Sequence, residues 1–270
     1  MTEFNHIILT RFNMREDINN PSIPSEKWHK DRFELFEKFC FPSVKNQINF
    51  NFKWLVFFDV LTPRHYLSKI EYYATELPNF IPIFSNDLAD FRKHIHQNIY
   101  GDISFLITTR LDNDDSISND FIDCVQKQFN HQEFEFINFY NGYIYYNKRL
   151  YNHHDKSNAF LSLIEKISDQ NKDQLLKTVW CTMHHKASDV ANIVQIKNNS
   201  SWLQVIHSTN VSNRVKGIRS REYTNINEKF GIYIDWDNDF FYWFDFLLLS
   251  YLRAFREFLF NILKNLIRTP

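Results

Sequence analysis

Glycine is the scarcest structural resource of this 270-residue chain, which has only Gly101, Gly142, Gly217 and Gly231. Neither a G-x-G-x-x-G fingerprint nor a glycine-rich phosphate loop can be written on four such positions. A nucleotide, if bound, is held by side chains and metal. Cysteine is also sparse: Cys40, Cys124 and Cys181 lack metal-site spacing. An odd, scattered set points to reduced thiols and the cytoplasm. Neither sign of charge dominates, with 31 basic residues against 32 acidic and a formal net charge of -1. That balance gives no reason to expect a nucleic-acid partner. No apolar run is long enough for a bilayer, because the most apolar stretch, from Phe240, is interrupted by Asp245 and Arg253. The opening Phe4 to Asn13 reads as a strand punctuated by polar residues, not as the basic-then-apolar pattern of a signal peptide.

Hydrophobic residues make up 44% of the chain, ample for a substantial core. The length suits one large domain, or one domain with a terminal appendage. The 28 phenylalanines fit an AT-biased coding sequence and carry no functional weight.

Periodicity gives the organisation. Phe4 to Thr10 and Phe52 to Asp59 read as strands, and Phe80 to Phe84 as a short one that Pro82 places at an edge or confines to a few residues. Helical spacing covers Glu26 to Phe39, where Pro42 breaks or restarts the helix. It also covers Tyr66 to Thr75 and Leu88 to Asn98. Strand-helix alternation of this kind predicts an α/β fold with a mostly parallel sheet flanked by helices. Further on, Ile117 to Phe129 reads as a helix and Tyr151 to Asn158 as a polar loop. Phe134 to Tyr140 and Tyr143 to Asn147 read as a hairpin turning at Asn141-Gly142. Phe160 to Ile167 and Lys177 to Met183 are each a strand or a short helix, and Trp202 to His207 is a short strand. The division predicted is residues 1–235 as the main domain and 236–270 as an amphipathic helical segment. That segment suits either a membrane surface or a contact with the domain or another subunit, leaving the oligomeric state open.

The chemistry concentrates in one place. The apolar run from Ile103 ends in Arg110-Leu111-Asp112-Asn113-Asp114-Asp115. Buried strands that stop at clustered carboxylates require solvent or a cation to compensate the charge. In open α/β sheets, ligands bind at these carboxyl ends. Asp112 and Asp114, two apart, project the same way if the segment is extended. They can offer oxygens to Mg2+ or Mn2+, which leave positions for water and phosphate. The plainer role for Asp115 or Ser116 is a cap on the helix expected at Ile117. His153-His154, His184-His185 and His94-x-His96 make poor zinc sites, because adjacent histidines rarely face one ion and no cysteines accompany them.

Aspartate-x-aspartate after an apolar strand resembles the metal motif of GT-A-fold glycosyltransferases. Several segments, in order, resemble more specifically the bacterial rhamnosyltransferase family. These are Ile8-Leu9-Thr10-Arg11-Phe12-Asn13, Phe41-Pro42-Ser43-Val44-Lys45-Asn46-Gln47 with Phe52-Lys53-Trp54-Leu55-Val56, Thr108 to Asp115, and Trp202 to Asn210. The resemblance covers about Phe4 to Arg214 and implies a GT-A-like domain using a nucleoside-diphosphate sugar and Mn2+ or Mg2+. The acceptor it implies is a hydroxyl of a cell-envelope glycan, such as lipopolysaccharide or capsule. An inverting course is expected, in the cytoplasm or at the inner face of its membrane.

The resemblance further implies that Asp112, Asp114 and His207 serve the metal and diphosphate, with Asp114 the direct ligand. Arg11, Asn13 and Asp59 are placed in the nucleotide pocket by the same argument, Asp59 also being a plausible strand-end cap. Arg110 or Arg214 would pair with phosphate, whose oxygens suit a guanidinium fork. The catalytic base is assigned to Asp189, with Asp155 and Glu165 as alternatives. Two rival readings stand beside this one: another metal-dependent enzyme acting on phosphates, a nucleotidyltransferase or phosphatase, and a non-catalytic carbohydrate-binding subunit.

Overall fold

A computed structural model describes residues 3–14, 24–86, 91–167, 176–207, 214–220, 225–236 and 241–268. The N-terminal half contains β1 (Phe4–Arg11), β2 (Lys53–Asp59), β3 (Phe80–Ser85) and β4 (Phe105–Arg110). They pair in parallel in the order β4-β1-β2-β3. Every residue from Trp54 to Phe58 is fully buried, so β2 is covered on both faces. Alternation divides these side chains between two cores. Ile8, Trp54, Val56, Phe58 and Ile107 face one, and Ile7, Leu9, Leu55, Phe57 and Leu106 face the other. Pro82 does sit on the outermost strand, where its missing N–H interrupts no ladder beyond it.

The first core is roofed by α1 (Glu26–Leu35), α2 (Phe41–Lys45) and α3 (Leu67–Glu76). Ser25 starts α1 by accepting a hydrogen bond from the Trp28 amide at 3.2 Å. A π-helical turn, Phe36–Cys40, joins α1 to α2, and Pro42 occupies the first turn of α2, where no N–H is needed. The helix therefore restarts at the proline. Phe36, fully buried, packs against the rings of Phe12, Trp54, Tyr73 and Phe80. Burial of such a side chain contributes about 2–3 kcal/mol. On the other face lies α4 (Phe91–Asn98), anchored by Phe91 and Ile95.

Beyond β4 the chain turns to antiparallel pairing. The elements are β5 (Ser116–Ile117), α5 (Phe121–Gln126), β6 (Phe134–Tyr146), β7 (Arg149–His154), β8 (Ser162–Lys166), β9 (Ile193–Ile206) and β10 (Ile218–Arg219). Strand β8 lies between β4 and β6, antiparallel to both, and β9 runs parallel to β6 while also pairing with β5. The α/β class is as expected, with the parallel block continuing into a mixed sheet.

Several local expectations are corrected. Asn141 and Gly142 do not turn a hairpin; they lie inside the continuous β6. A Cβ on Gly142 would fall 2.0 Å from the Trp202 ring, so this glycine admits an indole. The hairpin turns instead at Asn147-Lys148, both at positive φ. Residues 151–154, read as loop, belong to β7, since Tyr151 and its neighbours pair with β6. The helix expected from Ile117 shrinks to α5, because Ser116 and Ile117 are drawn into pairing with Leu203 and Trp202. The ambiguous Phe160 to Ile167 resolves as β8, and Val179–Cys181 is a single 3-10 turn.

The chain closes with α6 (Ile226–Phe230), α7 (Tyr242–Phe244), a π-helical turn at Asp245–Leu249, and α8 (Ser250–Arg268). The expected C-terminal helix is there. Among the described residues no helix is long and apolar enough to cross a membrane.

Candidate functional site at the end of β4

The backbone continues the parallel ladder for one residue past β4, with the Leu111 amide bonded to the Leu9 carbonyl at 3.1 Å. It then turns, the Asp115 amide reaching the Asp112 carbonyl at 3.3 Å. The four residues of the turn are thus held at the carboxyl edge of the sheet, each in a different environment.

Asp115 is the deepest. Its carboxylate accepts a hydrogen bond from the Val205 amide at 2.8 Å. Burial, reinforced by the charges of Asp114 and Asp112, pushes its pKa well above the carboxylate range. Its geometry makes it a clasp between the turn and the end of β9. That clasp sets the position of His207, two residues beyond Val205. His207 Nε2 lies 2.7 Å from Asp114 Oδ2.

The same Asp114 oxygen is 3.0 Å from Nη1 of Arg32, which reaches down from α1. Arg32 also donates to the Asn113 side chain at 2.9 Å, and Asn113 donates to the Phe12 carbonyl at 2.7 Å. Burial alone would raise the Asp114 pKa, but His207 and Arg32 outweigh it and hold the carboxyl below its usual range. Asp114 is 6% exposed, a buried acid with two basic partners and not a solvent-facing strand end.

Asp112 differs. It receives a forked interaction from Arg110, at 3.1 to 3.2 Å, yet 39% of its side chain remains accessible. Arg110 also points Nη1 at Nδ1 of His184, 3.5 Å away. Burial first, and Arg110 second, lower the His184 pKa to about 4, which keeps the ring neutral. Cys40, from the π-helical turn, is fully buried nearby. Burial and the three aspartates raise its thiol pKa, so it stays protonated and inert.

The other anticipated residues fall in different places. Asn13 is buried, and its amide is consumed by a clip joining three elements: Nδ2 meets His29 at 3.1 Å and Thr62 at 3.0 Å, and Oδ1 accepts from the Asp59 amide at 3.0 Å. Asp59 is buried and accepts from the Leu61 amide at 2.7 Å, the geometry of a strand-end cap. Arg11 is exposed at the end of β1, beside Phe57 in the ladder. Arg214 lies against α8, 3.7 Å from Glu257. Asp189 is exposed on the short helix His184–Asp189, and among the described residues no hydrogen bond or ion pair joins it to the cluster. Asp155 lies nearer: its charge acts on His184, and Ser157, whose amide Asp155 accepts at 2.8 Å, bonds the His184 carbonyl. Glu165 is in register with Leu106, near the start of β4 and away from the acid cluster. It binds the Lys177 and Thr178 amides at 3.0 and 2.9 Å.

Arg32 and His184 were not anticipated. Trp28, four residues before Arg32, was the one available signal, since the guanidinium carbon lies 5.1 Å from the center of its ring. Among the described residues no three His, Cys, Asp or Glu side chains converge to hold a metal ion. Asp114 and His207 do come together, but they face each other. The donor chemistry fits a hard divalent cation that keeps its waters and binds through one or two carboxylates plus substrate phosphate. It does not fit a cage made by the protein alone.

Acids and guanidinium groups thus gather at the carboxyl end of a central strand, the edge at which open α/β sheets bind their ligands. Residues 6–219 match the family model described as "Putative rhamnosyl transferase", and the chain belongs to that family. Among solved structures, S. aureus TarS 1-349 in complex with UDP-GlcNAc is similar at 14% identity and a TM-score of 0.46, over 80% of this chain and 62% of that one. The complex of the same protein with UDP gives 13% identity and a TM-score of 0.45, over 76% and 61%. The chain thus spans less than two thirds of these structures. No curated protein matches the chain in sequence.

Proposed function

We propose that the chain is a glycosyltransferase of GT-A-like fold that moves a sugar from a nucleoside diphosphate to a hydroxyl of a cell-envelope glycan, such as lipopolysaccharide or capsule, with inversion at the sugar carbon. The observation that carries this reading, beside the family match, is the asymmetry of the acid pair. Asp114 is engaged from within by Arg32 and His207, whereas Asp112 keeps an accessible carboxylate. A diphosphate arriving at this edge meets the guanidinium groups of Arg110 and Arg32, which suit its oxygens. A Mn2+ or Mg2+ ion, held by Asp112 with Asp114 beneath it, would neutralise charge on the departing diphosphate. His207 is then a partner that fixes the Asp114 carboxylate.

In the transfer, the acceptor oxygen bonds to the anomeric carbon as the bond from that carbon to the diphosphate breaks. The hydroxyl proton passes to a carboxylate. Asp155 is better placed for this than Asp189, through its link to His184 and Arg110. The test is slow hydrolysis of UDP-, GDP-, dTDP- and CMP-sugars with and without Mn2+. One donor should be hydrolysed in a metal-dependent way. Asp155→Asn should slow transfer by about a hundredfold or more while leaving donor binding intact. Loss with Asp189→Asn and not with Asp155→Asn would return the base to the exposed helix.

A further inference from the structure

The C-terminal helix is docked with its polar side inward. Asp245, Leu249, Arg253 and Glu257 follow one another at four-residue spacing and form the covered row, with Ser250 beside them. Asp245 is buried, with Oδ1 2.5 Å from Arg253 and Oδ2 3.6 Å from the fully buried Arg219. Tyr151 of β7 donates to the same carboxylate at 3.2 Å. Arg253 also donates to the Gly217 carbonyl at 3.2 Å, and Arg256 to the Val215 carbonyl at 2.9 Å. Glu257 pairs with Arg214 and Arg256. The opposite side carries Phe244, Leu248, Tyr251, Phe255 and Phe258, a stripe at helical spacing whose members are 46–72% exposed. An amphipathic helix normally buries its apolar stripe. Here ionic contacts orient that stripe outward, and Trp243 and Leu252 extend it. A continuous apolar patch of this size marks an interaction surface.

Charge identifies the occupant. Residues 214–220 and 241–268 hold seven basic residues against two acids, a formal surplus of five, although the whole chain carries -1. Both acids, Asp245 and Glu257, are ion-paired, each with two of these basic residues: Arg219 and Arg253, and Arg214 and Arg256. A twofold contact with a second copy would set this surplus against itself. The 19 residues of α8 extend about 28 Å, too interrupted by charge to cross a bilayer but suited to lie in its plane. Exposed Trp and Tyr side chains, which favour the headgroup region, fit the same setting.

We infer that the face formed by residues 241–259 is a docking surface for an anionic lipid bilayer, held outward by the Asp245 ion cluster. This does not depend on the transferase chemistry, and its test involves no turnover. The full chain is floated with vesicles of phosphatidylcholine alone and with vesicles containing phosphatidylglycerol. It should float with the anionic vesicles only and be released by high salt. Phe255→Ser with Phe258→Ser should abolish flotation with helicity and melting unchanged. Three results would overturn the inference: no flotation with either vesicle, equal flotation with both, or a dimer in solution that dissociates on Phe255→Ser with Phe258→Ser.

Discussion

The strand-end acids and the C-terminal helix both bury an aspartate between two basic side chains, with different consequences. At the end of β4, Asp114 lies among Arg32 and His207, contributed by three separate stretches of the chain. In the helix, Asp245 lies between Arg219 and Arg253, and the contact fixes which way a peripheral element faces. One ion cluster organises the center of the fold and the other orients its edge. Breaking a buried pair by removing one partner strands a charge, and the cost depends on whether the surroundings can open to water.

That difference orders the predictions. Asp114→Ala should be the most damaging, about 3–5 kcal/mol by denaturant unfolding, because Arg32 and His207 are held by α1 and β9. A loss below 1 kcal/mol would mean that the cluster is looser than its distances imply. Gly142→Ala, which tests the frame that presents β9, should cost about 3 kcal/mol, since the added Cβ would lie 2.0 Å from the Trp202 ring, which cannot retreat without repacking against Phe160. An unchanged melting temperature would refute the close approach.

Acid should act on the center rather than the edge. Burial lowers the pKa of His6 to about 3 from an ordinary 6.5. The ring is neutral, bonded through Nε2 to Thr109 at 2.8 Å, and Nδ1 accepts from Gln126 at 3.3 Å. A depressed histidine contributes stability that is complete above pH 6.5 and is lost as pH falls toward 3. The loss is about 2 kcal/mol at pH 5. His6→Gln should flatten the dependence of unfolding free energy on pH between 6.5 and 4. A parallel curve would assign the acid sensitivity elsewhere. Asp245→Ala should have the smallest global effect, under about 1 kcal/mol, because the helix can swing out and hydrate both arginines. Hydrogen exchange should then lose protection in residues 245–259 alone. Loss of protection throughout β6 and β7 would make this helix part of the central unit.

Much of the frame was legible in the sequence because local pattern and tertiary burial agree there. Trp54 to Phe58 read as a buried strand and is one, and Pro82 named the edge strand it occupies. The acid run was legible for the same reason: a fully buried β4 leaves charge only at its end. What failed were features decided by distant partners. Asn141-Gly142 has turn chemistry, but Trp202, sixty residues on, uses the glycine for packing. Ser116 and Ile117 have helical neighbours but pair with β9. Arg32 reaches a residue 81 positions away, and no spacing rule connects them. The C-terminal helix was legible as amphipathic, whereas its orientation depended on Asp245 finding Arg219 and Tyr151.

In the proposed function the accessible acid at the end of β4 serves the donor diphosphate while the buried acid beside it holds the site together. Asp112→Asn tests it most directly, with stability and donor hydrolysis measured on the same protein. The variant should unfold within about 0.5 kcal/mol of the parent, since the side chain is 39% accessible. It should also lose Mn2+-dependent stabilisation by the preferred sugar nucleotide and hydrolyse the donor at least a hundredfold more slowly. Parental hydrolysis and metal response in a well-folded Asp112→Asn protein would contradict it.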